Sequence, residues 1–111
     1  MTNEESCMRV AVGFISGIAI AEEVLGGVEK LETRKAKELE MASLSDNLKL
    51  NIQSFTENSK MYCDVDALAE GDWGRAVLRA ENAINFMSEG NPEEARKELR
   101  EALYSTIGVS Y

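Results

Sequence analysis

The chain has 111 residues, of which 44% are hydrophobic and 29% are charged. This length and composition predict one globular domain spanning residues 1–111 and exclude a disordered chain. Twenty acidic and twelve basic side chains give a formal net charge of -8. A chain this acidic offers no basic surface for phosphates, so we expect no direct binding of nucleic acid.

Apolar residues recur at steps of three and four, and one proline in the whole chain permits long helices. The predicted fold class is all-α, a compact antiparallel bundle of four to five helices. Breaks are expected at the glycine pair 26–27 and at the polar cluster 43–47. The predicted helices cover residues 3–25, 28–42, 45–70, 72–89 and 91–107.

The first predicted helix is the most apolar, with no charged residue at positions 10–21. A helix that is apolar on every side belongs in the centre of a core or at a contact between subunits. Twelve uncharged residues rise only about 18 Å against a hydrocarbon core of about 30 Å, so no membrane span is expected. The stripe expected to face the core is Cys7, Ala11, Phe14, Ile18, Ala21 and Leu25.

Small residues recur every fourth position along this helix, at Gly13, Gly17 and Ala21. Glycine within a helix costs about 1 kcal/mol relative to alanine, so the pattern indicates that another backbone approaches closely there. That backbone belongs either to another helix of the same chain or to a second copy. We expect a homodimer with the first helix at or beside the contact, and these three residues are the candidate self-association residues.

The next segment is strongly charged, with eight charged residues among positions 29–40. It is either a solvated outer helix or an arm that contacts a partner, in which case Leu31, Arg34 and Glu38 are candidate contacts. Trp73, the only tryptophan, is expected to fill the junction of neighbouring helices. The alternative is that Trp73 is a binding hot spot for a partner.

A short phrase occurs twice, as Glu-Gly-Asp at residues 70–72 and Glu-Gly-Asn at residues 89–91. Glycine after a helix end readily adopts positive φ, and an Asp or Asn side chain caps the helix that follows. The phrase therefore predicts left-handed conformations at Gly71 and Gly90, with Asp72 and Asn91 as N-caps.

These helix boundaries, with Ala-Leu at residues 102–103, resemble those of a tetratricopeptide repeat. The resemblance covers about 40 residues, from position 60 to position 103, and implies a concave surface for a peptide. The copies lie nineteen residues apart, which departs from a full two-helix repeat, and the sequence holds no third copy.

The two cysteines are Cys7 and Cys63, and the sequence has no histidine. The acidic and polar N-terminus is unlike a secretory signal peptide, so we expect a cytoplasmic protein. In that reducing compartment both cysteines, which fall on or beside apolar stripes, are expected to pack as small buried hydrophobes. A reactive thiol or a bridge is the alternative.

The residues that enzymes use are scarce. Without histidine there is no Ser-His or Cys-His pair, and two cysteines cannot complete a tetrahedral zinc site. No glycine-rich phosphate loop occurs. Glutamates one turn apart, at positions 29 and 32 and at positions 94 and 98, leave a magnesium-dependent nucleotide hydrolase as a minor alternative. No catalytic residue, cofactor or metal site is therefore predicted.

These observations predict a small, acidic, non-enzymatic interaction protein that packs a helical face on a larger protein partner, as a regulator, adaptor or chaperone would. The alternative is an acidic inhibitor, of the kind that phages or mobile elements encode, occupying a nucleic-acid-binding site of a host enzyme. Such an inhibitor needs carboxylates in rows like phosphates, whereas the acidic and basic residues here are interleaved.

Overall fold

A computed structural model describes residues 3–63 and 72–107, and within these ranges the secondary structure is entirely helical. The predicted all-α class is confirmed. The described ranges contain four helices, the lower of the two predicted numbers. They are α1 (Asn3–Glu29), α2 (Arg34–Tyr62), α3 (Trp73–Ser88) and α4 (Pro92–Ile107).

The first helix does not end at residue 25, as predicted, but continues through Gly26 and Gly27 to residue 29. Leu25 and Val28 are both buried, so packing on the core offsets the low helix propensity of the two glycines. Gly26 also has a role in packing, because a Cβ atom added there would lie 3.0 Å from the guanidinium carbon of Arg96.

The predicted helices 28–42 and 45–70 are replaced by the single helix α2. The cluster 43–47 was predicted to be a turn, but it lies inside α2, where Leu44 and Leu48 are buried. The helix begins after Thr33, whose hydroxyl accepts a hydrogen bond from the Ala36 N–H at 3.1 Å. Burial on the core therefore outweighs the local turn preference of the polar residues. The predicted continuation of this helix over 64–70 lies outside the described residues.

The boundary between α3 and α4 agrees with the prediction. Gly90 has a φ of 77°, and the Asn91 side-chain oxygen accepts a hydrogen bond from the Glu94 N–H at 3.2 Å. At the start of α3, the Asp72 carboxylate accepts a hydrogen bond from the Arg75 N–H at 3.1 Å. The predictions for Gly90, Asp72 and Asn91 are confirmed, and Gly71 lies outside the described residues.

The core lies between all four helices, because α1 and α3 each pack against both α2 and α4. Helix α3 contributes mainly alanines to this core. Its buried stripe includes Ala76 and Ala83, whereas Val77 and Ile84 are only partly buried. Small side chains allow α3 and α4 to approach closely. The buried residues with the largest side chains are Phe14, Ile18, Leu25, Met41 and Leu99.

A disulfide joins Cys7 to Cys63, with a Cα–Cα distance of 4.9 Å. The expectation of two unbridged cysteines that pack as small hydrophobes is therefore wrong, and the alternative of a bridge is observed, although Cys7 is buried as predicted. The two residues are 56 positions apart, and they meet because the beginning of α1 packs beside the end of α2. The hydrophobic pattern around each cysteine carries no information about this pairing.

Candidate interaction surface

The outer side of α1 exposes a row of large apolar side chains. Met8 is 64% exposed, Val12 is 56% exposed, Ile20 is 60% exposed and Val24 is 38% exposed. The helix is apolar on every side but packs on α2 and α4 with one side only, so the remaining apolar residues face outwards. We call these four residues the α1 surface. Clustered exposed apolar residues are typical of a site where another molecule packs.

Two exposed charged residues, Arg9 and Glu23, bracket the centre of this surface. Between them lie the exposed small residues Gly13, Ser16 and Ala19. Neither Arg9 nor Glu23 forms an ion pair with another residue in the described ranges 3–63 and 72–107. Within the described part of the chain, the α1 surface therefore has one unpaired charge of each sign near its two ends and no charge between them.

The three candidate self-association residues do not share one environment. Gly17 lies against α2, where the Asn51 side-chain amide donates a hydrogen bond to the Phe14 carbonyl at 3.2 Å, and a Cβ atom at position 17 would overlap Asn51. Ala21 is buried in the core. Gly13 is exposed, and a Cβ atom added there would have no neighbour within 4 Å. A step of four residues turns a helix by about 400°, so the row rotates from solvent into the core.

A shallow groove of about 340 Å³ adjoins the α1 surface, between α1 and α2. Helix α1 contributes Ile20 and Val24 to its wall, and α2 contributes the uncharged polar side chains of Ser43 and Asn47. Glu40 of α2 also lines the groove, so its wall on α2 combines uncharged polar side chains with one carboxylate.

Trp73 fills one end of the core, in line with the first of its two predicted roles. Its ring stacks on Phe55 with centroids 5.5 Å apart, and Phe55 stacks on Phe14 at 4.2 Å. The indole is half-buried. This aromatic cluster joins α1, α2 and α3 at the end of the bundle nearest the disulfide.

The other candidate partner contacts lie elsewhere. Arg34 and Glu38 form an exposed ion pair with an Nε–Oε1 distance of 3.0 Å, and Leu31 lies in the connection between α1 and α2. Glu38 precedes Phe55, the residue beneath Trp73, by seventeen residues of α2, which corresponds to about 25 Å along a helix. These three residues therefore do not form one continuous surface with Trp73.

An ion-pair cluster that sequence analysis missed holds α1 against α4. The Glu22 carboxylate accepts hydrogen bonds from Arg96 at 2.6 Å and from Arg100 at 2.9 Å. Glu29 lies 3.6 Å from the same Arg96 guanidinium. The partners are at least 67 positions apart in sequence, so no local spacing identifies them.

Two opposing effects act on the Glu22 carboxyl. Burial alone would raise its pKa, but the hydrogen bonds and positive charges of Arg96 and Arg100 outweigh burial and hold the pKa below its ordinary range. In turn, the hydrogen bond and charge of Glu22 raise the pKa of Arg96. A carboxyl whose pKa is lower in the folded than in the unfolded protein stabilises the fold when it is ionised.

Replacing Glu22 with glutamine should therefore lower the free energy of unfolding at pH 7. The difference from the unmodified protein should shrink as the pH falls below about 4.3, the ordinary glutamate pKa, and through the lowered pKa of folded Glu22. Urea denaturation of both proteins at pH 7 and pH 3 measures the difference. The control is Glu81→Gln, because Glu81 is exposed on α3. A Glu22→Gln difference that is equal at both pH values would contradict this assignment.

The described residues contain no group of three or more His, Cys, Asp or Glu side chains placed to hold a metal ion. Three of the four glutamates considered for magnesium instead contact cations. Glu29 approaches Arg96, Glu94 pairs with Lys97 at 3.2 Å, and Glu98 pairs with Arg79 at 3.0 Å. Each of these three carboxylates is therefore part of an ion pair.

By length and composition alone, α1 is apolar enough over Glu5–Glu29 to cross a membrane, with a mean hydropathy of 1.6. Its inner stripe nevertheless packs on other helices through buried residues such as Phe14, Ile18 and Leu25. The exposed apolar side chains that raise the hydropathy are those of the α1 surface.

The fold defines this protein as a small all-helical bundle with one strongly apolar, partly exposed helix. Comparison of the chain with protein-family models, with characterised proteins and with solved structures finds no match. The resemblance to a tetratricopeptide repeat therefore rests on its helix boundaries, and the α1 surface is the feature from which a function can be inferred.

Proposed function

We propose that the four helices form an up-and-down bundle in which neighbouring helices run antiparallel. Three contacts support this direction, because each joins an early residue of one helix to a late residue of its neighbour. Cys7 meets Cys63 between α1 and α2, and Glu29 meets Arg96 between α1 and α4. The Asp72 N–H donates to the Ser105 carbonyl at 3.2 Å, at the start of α3 and the end of α4.

We further propose that the protein is a non-enzymatic interaction module that acts by packing the α1 surface on another protein. The observation that carries this proposal is the exposure of Met8, Val12, Ile20 and Val24 on one side of a single helix. Removing such side chains from water is the main favourable term in most protein association. A preformed helix has little conformational entropy left to lose on binding, which also favours this mode.

In this proposal the protein forms a homodimer and serves as a regulator, adaptor or chaperone for a larger protein. Leu31, Arg34, Glu38 and the exposed part of Trp73 remain candidate contacts for that larger partner. We propose a cytoplasmic location, although the disulfide is more typical of an oxidising compartment. We propose that the protein binds neither a membrane nor nucleic acid directly.

The acidic-inhibitor alternative has less support. Such an inhibitor would present free carboxylates to a basic groove, but Glu22, Glu38 and Glu98 are each paired with arginine. These pairs lower the density of free negative charge on α1, α2 and α4. The interleaving of acidic and basic residues in the sequence has the same effect.

The test of the interaction module compares two substitutions of equally exposed residues. Ile20→Glu places a charge on the α1 surface, and Leu78→Glu does the same on α3, where Leu78 is 57% exposed. We expect Ile20→Glu to abolish assembly, measured as mass by light scattering and as specific capture from the native host. Leu78→Glu should retain both. Loss in both variants, or in neither, would contradict the proposal.

A further inference from the structure

We propose that a second copy of this chain covers the α1 surface. The two α1 helices run antiparallel about a two-fold axis that passes beside Ser16. In this arrangement Arg9 of each copy lies opposite Glu23 of the other. This inference rests on the proposed interaction module and specifies its occupant and register. Two properties of the described residues carry it. One is charge complementarity and the other is shape.

Charge complementarity arises from the spacing of Arg9 and Glu23, which have no ion-pair partner among residues 3–63 and 72–107. Arg9 and Glu23 each lie seven residues from Ser16, which corresponds to about 10 Å along the helix in either direction. A two-fold axis beside Ser16 reverses the helix direction, so the level of Arg9 in one copy becomes the level of Glu23 in the other. The symmetry therefore forms two opposite-charge pairs at once.

The alternative parallel arrangement lacks this complementarity. A two-fold axis along the helix would place Arg9 beside the second copy's Arg9, and Glu23 beside the second copy's Glu23. Like charges in contact oppose association and select against a wrong arrangement. The positions of the two charges thus favour the antiparallel dimer over the parallel one.

Shape complementarity comes from the small exposed residues between the charges. In the antiparallel register, Ile20 lies beside the second copy's Gly13, and Val12 lies beside the second copy's Ala19. Gly13 lies in the middle of α1, yet nothing in the described part of the chain would meet a Cβ atom there. A mid-helix glycine is costly, and close approach of the second copy's Ile20 accounts for it.

The test uses charge reversal, because a symmetric contact predicts a distinctive pattern. Arg9→Glu leaves only negative charges at positions 9 and 23, and Glu23→Arg leaves only positive ones. Each variant alone should dimerise on the order of tenfold or more weakly than the unmodified protein at low ionic strength. An equimolar mixture of the two should form heterodimers, and the double variant should dimerise like the unmodified protein. Sedimentation equilibrium measures all of these affinities.

Lys35→Glu is the control, because it makes the same charge change at an exposed residue of α2 and should leave dimerisation unchanged. If the unmodified protein is a monomer at high micromolar concentration, no second copy binds and this inference is overturned. Capture of another protein through Ile20 would, in that case, still support the interaction module. If a dimer forms but Arg9→Glu and Glu23→Arg dimerise normally, the register alone is wrong. Assembly that requires lipid vesicles would also overturn the inference.

Discussion

Reduction of the Cys7–Cys63 disulfide should lower the free energy of unfolding by about 4 kcal/mol. The bond joins residues 56 positions apart, and a loop of that length restricts the unfolded chain by about this amount in the chain-entropy account. Natural domains are stable by roughly 5–15 kcal/mol, so the loss is a large part of the total. For a chain of this size it corresponds to a decrease of roughly 15 °C or more in Tm.

Urea denaturation with and without dithiothreitol measures this effect, and Cys63→Ser provides an independent route to the same state. The reductant should destabilise the unmodified protein and leave Cys63→Ser unchanged. A reductant effect on both proteins would indicate a cause other than the bridge, and no effect on either would show that the cysteines are not bridged in solution. Alkylation of free thiols in intact cells then reports whether the compartment oxidises them.

Replacing Gly17 with leucine should destabilise the fold by about 3 kcal/mol. The new side chain would occupy the position of the Asn51 side chain, so α1 and α2 would have to separate or Asn51 would have to move. Overpacking costs about 1–3 kcal/mol. Loss of the hydrogen bond from Asn51 to the Phe14 carbonyl would leave a partly buried polar group without its partner, at a further cost of about 1 kcal/mol.

Gly13→Leu is the matched control, since it makes the same substitution one turn earlier in α1 at a position with open space. At a concentration where both proteins are monomeric, we expect Gly13→Leu to unfold at or above the urea midpoint of the unmodified protein, because leucine has the better helix propensity. In the antiparallel dimer it should weaken association without loss of helix content. Equal destabilisation by the two substitutions would contradict the packing assigned to Gly17.

Parts of the α1 surface could be predicted from the sequence, because a helix without charge at positions 10–21 has more apolar side chains than one packed side can cover. The sequence could not identify which side stays exposed. That depends on where α2 and α4 pack, and it separates Gly13, which faces solvent, from Gly17, which lies under Asn51. The same packing places Trp73 far from Arg34 and Glu38.

The sequence by itself determined the features that depend on residues a few positions apart. Asp72, Gly90 and Asn91 act within one turn of a helix end, so their roles follow from local backbone chemistry. The tertiary structure alone decided the continuity of α1 through Gly26 and Gly27 and of α2 through 43–47, because burial on the core outweighed local preferences for a break. It also decided the disulfide and the contacts of Glu22 with Arg96 and Arg100, since these join residues that only the packing of helices brings together.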